Sequence, residues 1–117
     1  MAEANLHGGI AQGLGGAMYE HLVYDEAGQL KTTTFMDYTL PTAVDVPWMD
    51  VEHQETPSPF TPLGTKGVGE SGVTGPLGSL CGAVESAFPE LELNLSEMPL
   101  TPQTVWRAIH QAKRREQ

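Results

Sequence analysis

Ten of the 13 glycines fall in two short stretches: Gly8, Gly9, Gly13, Gly15 and Gly16 in the first, Gly64, Gly67, Gly69, Gly72 and Gly75 in the second. Both stretches are costly to order. A glycine inside a helix is about 1 kcal/mol worse than alanine, and glycine loses more backbone freedom on folding than any other residue. What glycine offers is room, because without a Cβ another backbone or a bound group comes close. That cost is accounted for if bare backbone lies against a ligand or another segment at these two points.

The second stretch, Thr61-Pro-Leu-Gly-Thr-Lys-Gly-Val-Gly-Glu-Ser-Gly-Val-Thr-Gly75, surrounds a single carboxylate, Glu70. It reads either as a site shaped around an acid or as a solvated glycine-rich loop in which Glu70 is one of 15 acidic residues. The first stretch lies in a helical pattern, with Leu6, Ile10, Leu14, Ala17, Met18 and Leu22 recurring at spacings of three and four. On such a helix Gln12 has Gly8 and Gly9 behind it and Gly15 and Gly16 ahead on one face. Either a ligand or another backbone approaches that face and Gln12 hydrogen-bonds it, or the glycines allow tight helix-on-sheet packing and Gln12 caps a strand edge.

The remaining text suggests short elements. Residues 22–24 and 29–34 flank Asp25-Glu-Ala-Gly28 as a hairpin would. Residues 35–47, with Phe35, Tyr38, Leu40, Pro41 and Pro47, read as an ordered connection that buries aromatics. Residues 48–55 alternate, Met49, Val51 and His53 against Asp50, Glu52 and Gln54, which is the pattern of a strand with one wet face. Ser71 or Thr74 caps a helix that carries Leu77, Leu80, Cys81, Val84 and Phe88 on one side. Leu91 to Leu95 alternates as a short strand, and Thr101-Pro102 opens a last helix bearing Val105, Trp106 and Ile109. The expected fold is α+β: a small mixed sheet with two or three helices packed on one face.

Composition narrows the function. A net charge of −9 repels phosphate backbones and argues against nucleic-acid binding. The basic cluster Lys113-Arg-Arg115 reads as the last turn of a helix, where cations complement the dipole. No apolar run reaches the ~20 residues of a membrane span. Met1 to His7 lacks the basic and apolar regions of a signal peptide. Cys81 stands alone, so neither a disulfide framework nor a cysteine metal cage is available, and a reducing, cytoplasmic setting is expected. His7 and His21 lack metal-ligand spacing, and no metal-ligating residues are assigned.

Gly67-Val-Gly-Glu-Ser-Gly72 matches the G-x-G-x-x-G pattern, with Glu92 twenty residues on. The dinucleotide fingerprint, however, requires a buried strand directly before it, and Pro57 to Lys66 offers prolines, threonines and glycine instead. The better chemical reading of Glu70 is a general base, with glycines leaving room for the reacting group and Lys66 favouring the ionised form. No nucleophile, paired acid or metal ligand set accompanies it, so any chemistry must draw on a cofactor or on protein outside this chain.

Gly64-Thr-Lys-Gly-Val-Gly-Glu-Ser-Gly72 resembles the glutamate loop of the molybdenum hydroxylases, the xanthine oxidase and aldehyde oxidase family. The surrounding text is most similar to the carbon monoxide dehydrogenase large-chain branch. His7-Gly-Gly-Ile-Ala-Gln-Gly-Leu-Gly15 resembles the family's glutamine helix. Phe35 to Ala43 and Met98 to Ile109 resemble further signature segments, in the family's order. The helix after Glu70 departs from the family pattern of a proline pair and an asparagine, with Leu77-Gly78 and Gly82 instead.

The resemblance implies that residues 1–117 form the C-terminal lobe of a molybdopterin-binding domain, the last segment of a chain several times longer. It implies Glu70 as the catalytic glutamate, which helps deprotonate or position the hydroxide or the substrate. It implies Gln12 as a hydrogen-bond partner of molybdopterin, with Gly13, Gly67 and Gly69 as backbone lining the cofactor. Expected partners are the remainder of the molybdenum-binding chain together with iron–sulfur and flavin subunits, and a homo-oligomer is open. Molybdenum–molybdopterin is expected only with the upstream polypeptide, and the isolated chain is expected to hold none and to be inactive. The alternative is a non-enzymatic association module or a degenerate remnant of that family.

Overall fold

The computed structural model describes residues 1–115, in which the regular structure is three helices: α1, Ala2–Met18; α2, Gly75–Ser86; and α3, Pro102–Arg115. Two short 3₁₀ turns, Pro62–Gly64 and Pro89–Leu91, precede α2 and follow it. No strand forms among the described residues, so the expected α+β fold with a mixed sheet is incorrect and the segment is helical.

The correction has a physical reason. Alternation says which face of a strand would be dry, but a strand exists only when its backbone finds a ladder partner. Residues 48–55 and 91–95 carry the alternation and have none here, Leu91 closing a 3₁₀ turn instead. At 22–31 the hairpin turn does form, yet it is reduced to one antiparallel bridge, Tyr24 to Leu30. Asp25 Oδ1 accepts the N–H groups of Ala27 and Gln29 at 3.0 and 2.9 Å, and Gly28 takes φ +79°. A two-stranded ribbon without a covering layer is marginal in water.

α1 and α2 pack on each other. The buried side of α1 is its glycine side, Gly9, Gly13 and Gly15 with Ala17, while Leu6, Ile10 and Leu14 are half-buried and Leu22 lies beyond the helix, 52% exposed. The buried apolar residues are Ala17, Leu91, Leu95, Leu100 and Ala112, drawn from the end of α1, the 91–100 segment and α3. Two hydrogen bonds tie the 91–100 segment to α1 and α2: Leu100 N–H to Ala17 C=O at 2.7 Å, and Leu95 N–H to Glu85 Oε1 at 2.7 Å.

In α3 the inward residues are Val105, Ala108, Ile109 and Ala112, whereas Trp106, expected on the apolar face, is exposed and lies against the His110 ring at 4.0 Å. Of the two aromatic residues in the 35–47 connection, Phe35 is 82% exposed and Tyr38 is half-buried. The order of this connection comes from polar contacts, including a hydrogen bond from Tyr38 Oη to Glu20 Oε2.

Candidate functional site

Two turns hold Glu70. Ser71 N–H donates to Val68 C=O at 3.2 Å, and Val73 N–H donates to Glu70 C=O at 3.1 Å. The chain then enters α2 with Thr74 at the N-cap position, although its hydroxyl makes no capping bond. Upstream, Ser58 N–H donates to Gly64 C=O at 3.1 Å, so residues 58–64 close on themselves before the loop begins. Leu63 and Gly64 both take the left-handed region, at φ +60° and +68°, and Pro57 Cβ lies 2.6 Å from where a Cβ on Gly64 would be.

The glycines of α1 and of the loop fall into two sets at this crossing. Gly72 is buried against α1: a methyl group on it would sit 2.6 Å from the Leu6 carbonyl oxygen and 2.9 Å from Ile10 N. The approach is mutual, because a methyl on Gly9 would lie 3.1 Å from Gly72 Cα. One turn further along α1, a methyl on Gly13 would collide with the Val73 carbonyl oxygen and lie 2.8 Å from Pro76 Cγ. Gly8, Gly67 and Gly69 form the other set, with nothing within 4 Å of the position a Cβ would take.

Sequence reasoning placed Gln12, Gly13, Gly67, Gly69 and Glu70 in one site. The fold brings the two segments that carry them into backbone contact, through residues next to Gln12 and within three of Glu70. Gln12 and Glu70 are both exposed, and neither side chain has a hydrogen-bond or charged partner among the described residues. Gly13 is buried on the loop side of the helix, and Gly67 and Gly69 present open backbone. Lys66 does not serve Glu70, since its ammonium donates to the Thr56 hydroxyl.

Sequence reasoning missed the contribution of residues 50–52. Asp50, Val51 and Glu52 join Leu6 and Ile10 of α1, Ser71 and Gly72 of the loop and Pro76 of α2 in lining a groove of about 410 Å³ beside the site. The signal was obscured because 48–55 reads as a strand. His7 stacks edge-on against Trp48 at 6.2 Å, and His53 Nε2 stands 3.9 Å from Glu3 Oε1, which brings the same segment alongside α1. No cluster of three or more His, Cys, Asp or Glu side chains among the described residues could hold a metal ion.

Residues 1–47, which include the glutamine helix, match the molybdopterin cofactor-binding domain family. The chain is 42% identical over 108 residues to the nicotine 6-hydroxylase large subunit of Paenarthrobacter nicotinovorans, covering 92% of this chain and 13% of that one. It is 39% identical over 107 residues to the carbon monoxide dehydrogenase large chain of Hydrogenophaga pseudoflava, again covering 92% and 13%. The crystal structure of quinoline 2-oxidoreductase from Pseudomonas putida 86 superposes with a TM-score of 0.86 at 44% identity, over 92% of this chain and 14% of that one. The chain belongs to the molybdenum hydroxylase large-chain family and corresponds to its C-terminal segment. It spans about one seventh of the length of the relatives it matches. None of its described helices is long and apolar enough to cross a membrane.

Proposed function

We propose that this chain supplies a catalytic glutamate, Glu70, and a cofactor-binding glutamine, Gln12, to a molybdenum–molybdopterin site that the rest of a large chain completes. The observation that carries the reading is the interlock of α1 with the Glu70 turn, which leaves both side chains exposed and unpartnered on adjoining segments. The residues suit such a group. Gly8, Gly67 and Gly69 leave backbone uncovered where a large flat ligand would need it, and the Gln12 amide has both its donors and its acceptor free. A bound molybdenum–molybdopterin centre supplies two-electron redox chemistry.

The tasks of this chain are then specific. Gln12 hydrogen-bonds the cofactor through its side-chain amide. Gly67 and Gly69 let the loop backbone come close to it, and Gly13 holds the helix at the loop. Glu70 Oε1 or Oε2 accepts a proton from the attacking hydroxide or the substrate, or holds that group in place by a hydrogen bond, once the site is covered and drier than it is here. Residues 1–117 act as the C-terminal lobe, alongside the remainder of the large chain and, as the family resemblance implies, iron–sulfur and flavin subunits. Alone the chain holds no cofactor and does not turn over.

The exposure of Trp48, Phe60 and Leu63, at 87, 93 and 98%, favours a second reading, a non-enzymatic association module derived from the same family. Co-expression of the chain with the upstream part of a large chain, followed by assay of molybdenum and pterin, separates the two. The enzyme reading expects metal and pterin only in the assembled protein, with Glu70→Gln removing turnover while leaving the cofactor bound. Absence of cofactor from both preparations, with the lone chain a stable oligomer, would establish the module instead.

A further inference from the structure

We infer that Gly9, Gly13 and Gly72 are positioning residues, whose backbone-on-backbone crossing fixes the Glu70 turn to α1 and so sets where Glu70 stands relative to Gln12. The link to catalysis rests on the function proposed above; the crossing itself is a property of this chain. A methyl on Gly72 would enter the space between the Leu6 carbonyl oxygen, 2.6 Å away, and Ile10 N, 2.9 Å away. Those two atoms are a donor and acceptor of the helix ladder, four residues apart. Neither can yield as a flexible side chain would, so the loop must move off the helix. Gly9 repeats the constraint from the other side at 3.1 Å, and Gly13 meets the backbone oxygen of Val73.

The displacement passes to Glu70 directly. Gly72 lies between Glu70 and Val73, whose C=O and N–H are hydrogen-bonded at 3.1 Å, so the turn shifts as one piece. The neighbouring glycines are a built-in contrast, because Gly67 and Gly69 of the same loop touch nothing and Gly82 of α2 is equally open. Glycine is therefore required at the crossing for separation, not for backbone conformation: neither Gly9, Gly13 nor Gly72 has a positive φ in the range that disfavours other residues.

The test uses nitroxide labels at Gly8→Cys and Gly69→Cys in the full chain with Cys81→Ser, and reads the distance distribution between α1 and the loop. A narrow distribution is expected, unchanged by Gly82→Ala and shifted or broadened by Gly72→Ala. Gly9→Ala raises helix propensity and collides less, so it gives a smaller shift in a chain that still folds. A broad distribution in the parent, or the same distribution in Gly72→Ala, overturns the inference. In the assembled enzyme Gly72→Ala is expected to lower kcat about 100-fold, the cost of a misplacement near 1 Å, with KM and bound pterin retained. If Glu70→Gln abolishes turnover and Gly72→Ala does not, the positioning role fails. If Glu70→Gln itself is harmless, it is the functional reading that fails, whatever the labels show.

Discussion

Glu70 and Gln12 are both exposed side chains whose surroundings this chain does not supply. The contrast with Asp45 shows what a locally supplied environment does. Asp45 Oδ2 accepts the Thr42 hydroxyl at 2.7 Å and the Thr42 N–H at 2.8 Å, and these bonds hold its carboxyl below the ordinary carboxylate value of 3.8. Because the folded form binds its proton later than the unfolded form, the bonds stabilise the turn fully above that ordinary value. The contribution is lost as pH falls through the lowered folded value. Titration of the Asp45 carboxyl carbon by NMR should give a midpoint below the ordinary range, and Thr42→Val should move it upward. An ordinary midpoint in the parent would refute the local origin. The turn sits between α1 and the groove-lining segment at 50–52, so its order bears on how that segment lies beside the site.

At the scale of elements, the end signals of α3 proved dependable, whereas the expected side-chain cap of α2 and the strand patterns did not. α3 begins where Thr101-Pro102 predicted: the Thr101 hydroxyl accepts Thr104 N–H at 3.1 Å, and Lys113, Arg114 and Arg115 occupy the last turn. Removing that cap with Thr101→Ala should cost about 1 kcal/mol, seen as a lower urea midpoint for the assembled protein, and Thr101→Ser should restore most of it. A cap is legible because donor and acceptor lie three residues apart. The alternation at 48–55 is equally clear to the eye, but its meaning depends on a partner strand that no local pattern can supply. The stripe on α2 is intermediate. Leu77, Leu80, Cys81 and Val84 share its sheltered face but are only half-buried, and Phe88, expected on the same stripe, lies two residues beyond the helix.

The molecule as a whole is far more open than a domain of its size. Its radius of gyration is 18.1 Å, against about 13 Å for a compact chain of this length. It exposes 9120 Å² at 12.6 kDa, where a folded monomer of that mass exposes about 6,200 Å². The difference of about 3,000 Å² is on the scale of the larger permanent interfaces between protein chains. It includes Phe35, Trp48, Phe60 and Leu63, each more than four-fifths exposed. We therefore expect the isolated chain to bind a hydrophobic dye such as ANS strongly, and to lose that binding on assembly with the rest of a large chain. Weak dye binding by the lone chain, with a compact scattering profile, would contradict this.

The sequence alone determined which family the chain belongs to and where its last helix begins. The Glu70 loop, the glutamine helix and the α3 cap are local patterns, and local patterns are carried by residue type and spacing. Tertiary structure alone decided what the glycines do. Nothing in the spacing of Gly9 and Gly72, sixty-three residues apart, says that their backbones cross, whereas Gly67 and Gly69 of the same loop stay open. Tertiary structure also decided that the alternating segments are not strands, since hydrogen-bond ladders are a property of pairs of segments and not of one. The division has one physical reason: propensity and capping act over three or four residues, but burial and pairing depend on what the rest of the chain brings alongside.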